Sequence, residues 1–185
     1  MMNRRSAIKN MTILASGVFL FPSCLKHEDG KVSIKLNKMH INAAQEKLVA
    51  NVAETIIPQT DSPGAKALNV HQFVLKMMDD CHNKKDQDNF IKGLAQLEDF
   101  TKARYKHSFA ECTPKQREDV LLSIEQNKQT EPALTAFYQM QKQLTVQGYG
   151  MSKYVMTTKL PYELVPGRYN GYFPVKNLKN HAKNG

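Results

Sequence analysis

Three cysteines and six histidines are the side chains with the widest chemical reach in this chain. Cys81-His82 ends like a covalent haem site, Cys-x-x-Cys-His, but the first cysteine would have to occupy position 78, which is Met78. There is no Cys-x-x-Cys for zinc or redox work, and no His-x-x-x-His pair with a glutamate between. The histidines stand at 27, 40, 71, 82, 107 and 181, too dispersed for a ligand set. Gly148-Tyr149-Gly150 opens like a dinucleotide loop, yet Lys153 occupies the place of the third glycine and no strand precedes it. Asp79-Asp80 and Glu98-Asp99 pair carboxylates, but neighbours on a helix point about 100° apart, so neither pair converges as acid and base. The chain therefore reads as non-enzymatic, with no catalytic, cofactor-binding or metal-binding residues. Cys81 and Cys112 are candidates for a disulfide. It would close a loop of about 30 residues and contribute roughly 3–4 kcal/mol if unstrained. Two separate buried thiols are the alternative.

The surrounding pattern is helical. Asn42 and Gln45 have capping-box spacing, and Leu48, Val52 and Ile56 recur every four residues until Pro58 stops the run. Gln59-Thr60-Asp61-Ser62-Pro63-Gly64 is a loop by its turn residues. Asn69 is placed to cap a second helix carrying Phe73, Val74, Met77 and Met78. A third carries Phe90, Ile91, Leu94, Leu97 and Phe100. Thr113-Pro114-Lys115-Gln116 starts a fourth, with Val120, Leu121 and Ile124 inward. A fifth begins near Glu131-Pro132, buries Leu134, Phe137, Tyr138 and Leu144, and meets natural stops at Gly148 and Gly150. From Ser152 the periodicity fades into closely spaced turn signals and the aromatic residues Tyr154, Tyr162, Tyr169, Tyr172 and Phe173. The expected fold is all-α, a compact bundle of about five helices with an irregular, aromatic C-terminal tail.

The chain is 185 residues long with a formal charge of +9. That length suits one domain and leaves little room for an enzyme carrying its own dinucleotide fold. The start, Asn3-Arg4-Arg5-Ser6-Ala7-Ile8-Lys9, precedes an uncharged apolar run to Leu25 that is shorter than the about 20 residues needed to span a bilayer. This is the layout of an export signal, and Arg4 and Arg5 fit the twin-arginine route, which carries folded cargo; the alternative is an ordinary signal for an unfolded chain whose basic start contains two arginines. Phe21-Pro22-Ser23-Cys24 resembles a lipoprotein box, with Cys24 as the lipidated residue; the alternative is a non-lipidated signal cut nearby. Residues 1–23 are thus expected to be the signal, 24–41 a polar tether, and 42–185 the helical domain. The charges are scattered over helix faces, and with export they exclude a nucleic-acid partner.

One motif is more specific than these patterns. Glu54-Thr55-Ile56-Ile57-Pro58-Gln59-Thr60-Asp61-Ser62-Pro63-Gly64-Ala65 closely resembles the signature of gluconate 2-dehydrogenase subunit 3 proteins. Val70-His71-Gln72-Phe73-Val74, Asp79-Asp80-Cys81, Thr113-Pro114-Lys115-Gln116-Arg117, Leu144-Thr145-Val146-Gln147-Gly148-Tyr149 and Val165-Pro166-Gly167-Arg168-Tyr169-Asn170-Gly171 continue the likeness over roughly residues 42–175. The resemblance implies a small cofactor-free subunit of an exported flavoprotein dehydrogenase. The large partner would be of the glucose-methanol-choline type, hold FAD and oxidise a sugar or sugar acid. A cytochrome c, with haem c in a third subunit, would accept the electrons. The small subunit would escort, stabilise and tether its partner in the periplasm through the lipid anchor. Pro63, Gly64, Arg168 and Tyr169 are the candidate partner contacts, Arg and Tyr being enriched at interface hot spots. For both loops the alternative is internal, with Pro and Gly shaping turns that pack on the subunit's own helices. The rival function is a stand-alone periplasmic lipoprotein that binds a saccharide or peptide, its aromatic tail stacking on the ligand.

Overall fold

The computed structural model describes residues 32–126, 131–160, 167 and 171–172. Among these the secondary structure is entirely helical: α1 Ala43–Ile56, α2 Val70–Cys81, α3 Lys84–Tyr105, α4 Pro114–Gln126, α5 Pro132–Gly150 and α6 Lys153–Thr158. The all-α bundle expected from the periodicity is what forms. α6 is an addition, because Ser152 caps it by accepting from the Val155 N–H at 3.3 Å, where only an irregular tail was expected.

Local sequence sets several helix ends. Asn42 and Gln45 form a reciprocal capping box at α1, with bonds of 2.9 and 3.0 Å. Thr113 and Gln116 do the same before α4. Asn69 departs from expectation. It precedes α2 in the left-handed region at φ 53°, and its side chain caps nothing. The turn 64–69 is closed by backbone bonds instead, Leu68 N–H to Gly64 and Val70 N–H to Ala65. Asn is among the few residues that tolerate that conformation. Gly148 is not a stop either: α5 continues to Gly150, and a Cβ at Gly148 would lie 2.5 Å from the Phe73 ring.

α1 lies at the centre. Residues 48–53 are buried on every face of the helix, and it packs against α2, α3, α4 and α5. Apart from Asn51 these six residues are apolar, and a helical stretch apolar on every side is stable only when enclosed in this way. α5 is the second hub, and its broadest interface is with α3. The two approach closely at Gly93, where Phe90 meets Phe137 edge-on at a centroid distance of 4.9 Å. Such a pair adds about 0.5–1.5 kcal/mol beyond its burial. Two hydrogen-bonded ion pairs clip the outer helices together. Asp119 of α4 takes the Tyr105 hydroxyl and Arg104 of α3, and Glu125 of α4 takes Tyr138 and Lys142 of α5.

The polar stretch read as tether is seated on the bundle over residues 33–41. Met39 is 2% exposed, and Asp79 of α2 accepts the backbone N–H groups of Asn37, Lys38 and Met39, each at 2.7 Å. Composition cannot show this, because the acceptor lies some forty residues along the chain. No helix among the described residues is long and apolar enough to cross a membrane.

Candidate functional site

The loop after α1 is built around one carboxylate. Glu54, in the last turn of α1, accepts from the Gln59 N–H at 3.0 Å and the Lys66 N–H at 2.8 Å, so it holds both ends of the loop. The Ala65 N–H reaches back to Ile57 at 2.9 Å, and the Thr60 N–H to Ser62 at 3.0 Å. A Cβ at Gly64 would sit 2.5–2.6 Å from both Glu54 oxygens and the Gln59 nitrogen, so only glycine admits the carboxylate. The Tyr149 hydroxyl donates to the Pro63 carbonyl at 3.0 Å and ties the loop to α5. Pro63 and Gly64 are therefore occupied inside the subunit. The exposed part of the loop is its tip, Gln59, Thr60 and Asp61. An open groove of ≈ 380 Å³ is lined by Asn69, Val70, Phe73, Gly148, Met151 and Lys153 among others.

The titratable groups with displaced pKa lie elsewhere. The Tyr105 hydroxyl, then Arg104, hold Asp119 below the usual carboxylate range, and the bonds from Lys142 and Tyr138 do the same for Glu125. Burial lowers His71, against the pull of Glu46, whose Oε1 lies 3.6 Å from Nε2. None of these lines the groove. Among the described residues no three His, Cys, Asp or Glu side chains converge as a metal site.

The cysteine pairing is corrected. Cys81 and Cys112 are both free: Cys81 is exposed at the end of α2 with Met77 Sδ at 4.0 Å, while Cys112 is buried before α4. A disulfide joins two sulfurs about 2.0 Å apart, and these occupy different environments. Arg4, Arg5, Cys24, Arg168 and Tyr169 lie outside the described residues. Glu54 and Asp79, which hold the loop after α1 and the segment 37–39, were legible only as letters of a motif, since their bonding partners are backbone groups.

Residues 43–167 match the family model described as gluconate 2-dehydrogenase subunit 3. The chain belongs to that family. No curated protein and no solved structure matches it. The family match opens on the first residue of α1 and takes in all six helices, the Glu54 loop and the groove. It leaves out the seated segment 33–41 and ends one residue before Arg168. The family description makes this a subunit of a dehydrogenase complex.

Proposed function

We propose that the protein is a non-catalytic small subunit that escorts, stabilises and membrane-tethers a periplasmic flavin-dependent sugar or sugar-acid dehydrogenase. The large subunit would be of the glucose-methanol-choline type and hold the FAD, and a cytochrome c carrying haem c would receive the electrons. Membership of the subunit family is the observation that carries this reading. The loop architecture supports it. Glu54, Gly64 and Tyr149 fix the loop internally and leave Gln59, Thr60 and Asp61 outward, so little ordering entropy remains to oppose association. A flavoprotein acquires its cofactor before export. A partner bearing Arg4 and Arg5 would let the folded pair leave together, and binding would stabilise the folded flavoprotein by mass action. Cys24, if lipidated, would then hold the pair at a membrane.

Capture of the full-length lipoprotein from its native membranes, followed by an absorbance spectrum, tests the proposal. A co-purifying large chain with a flavin spectrum is expected, and Arg168→Ala should weaken its recovery. A colourless, partner-free preparation would overturn the proposal. Saccharide binding by that lone monomer would favour the rival binding-protein role.

A further inference from the structure

We propose that residues 33–41 are a detachable strap, locked to the helical body through Asp79 and Glu46, so that the N-terminal flank can be fixed or freed while the bundle stays folded. The lock has two polar points. Asp79 is fully buried on α2 and takes three backbone N–H groups at 2.7 Å, with Lys76 Nζ 4.0 Å away. Glu46 on α1 takes the Ser33 N–H at 2.8 Å and the Ser33 hydroxyl, and Gln72 Nε2 donates to that hydroxyl at 3.0 Å. Between these points Ile34, Leu36 and Ile41 are partly buried against the core and Met39 is buried in it.

What makes the strap separable is the kind of bond that holds it. Among the described residues, no backbone group of 33–41 bonds to the backbone of a helix. The hydrogen bonds that seat it run to side chains of α1 and α2, whose own ladders do not depend on them, apart from an exposed one from Lys38 Nζ to the Asp80 carbonyl of α2 at 3.4 Å. Asp79 is also bound to the bundle independently of the strap: its carbonyl, with those of Met78 and His82, accepts from Gln87 Nε2 at 3.0–3.1 Å. Lifting the strap therefore breaks side-chain bonds and uncovers Met39 with the partly buried Ile34, Leu36 and Ile41, which is a local opening. Nine residues set free add up to ~30 Å of reach between the flank and the bundle. This inference does not rest on the dehydrogenase reading, and neither outcome below bears on partner capture.

Amide hydrogen exchange on the full chain tests it. Asp79→Asn should speed exchange at Asn37, Lys38 and Met39 by about tenfold or more, because the charged acceptor is lost. The α3 core amides of Leu94 and Leu97 should stay as slow as in the parent. Met39→Ala removes the apolar anchor without touching either carboxylate and should give the same pattern; it decides the question if Asp79→Asn does not fold. Strap amides that stay protected in both variants would overturn the proposal. So would strap and α3 amides that accelerate together.

Discussion

Gly93→Ala should destabilise this protein, although the same change in most helix interiors would help. Alanine is favoured over glycine there by about 1 kcal/mol. At Gly93, however, an added Cβ would overlap the Cβ of Phe137 and lie 2.7 Å from the Ala133 carbonyl oxygen. Phe137 is fully buried and Ala133 contributes backbone, so neither can swing aside. α3 and α5 must move apart across their broadest interface, which also loosens the Phe90–Phe137 pair. Overpacking of this kind costs about 1–3 kcal/mol, occasionally more, and a rigid neighbour places the cost at the upper end. Set against the helix gain, the net loss is about 2 kcal/mol. For a chain of this size that lowers Tm by about 4–8 °C. Thermal melting followed by far-ultraviolet circular dichroism reads it directly. Gly150→Ala is the control: a Cβ there meets nothing within 4 Å, so the change should be neutral or raise Tm slightly. A Gly93→Ala protein that melts at or above the parent temperature would refute the close-packing argument.

Two further outcomes are expected. Burial alone would raise the Asp79 carboxyl, but the N–H groups of Asn37, Met39 and Lys38, with Lys76, hold it below the usual range. A depressed carboxylate contributes stability above its unfolded pKa of about 3.9 and loses it as pH falls through the folded value. The stability gap between the parent and Asp79→Asn, from urea midpoints, should be full near neutrality and shrink in acid; a gap that does not change with pH would contradict this. In the native protein iodoacetamide should label Cys81 and spare Cys112, where burial pushes the thiol up and limits access. Peptide mass spectrometry resolves the two, and failure of both to react without a reductant would mean that they are bonded after all.

The features legible in the sequence are those that depend on near neighbours. The capping boxes at Asn42–Gln45 and Thr113–Gln116, and the core positions Val52, Leu94, Leu97, Val120, Ile124 and Phe137, formed as their spacing required. Where a residue's role depends on a distant group, the same reasoning fell short. Asn69 carries a cap residue's chemistry, but the turn ahead of it set its backbone to the left-handed region. Gly148 resembles a helix stop, but α5 runs on past it to Gly150 and Phe73 of α2 packs against it, where an added Cβ would press on the ring at 2.5 Å.

The family and the helical class were readable in one dimension, because motif order and apolar periodicity are properties of the chain alone. The tertiary structure decided which residues those motifs serve. Pro63 and Gly64 turn inward because Glu54 and Tyr149 hold the loop. Cys81 and Cys112 stay apart in exposed and buried settings. Residues 33–41 cease to be tether because Asp79 offers their N–H groups a buried charge, and a carboxylate binds whichever donors the fold brings within 3 Å, however far away they lie in sequence.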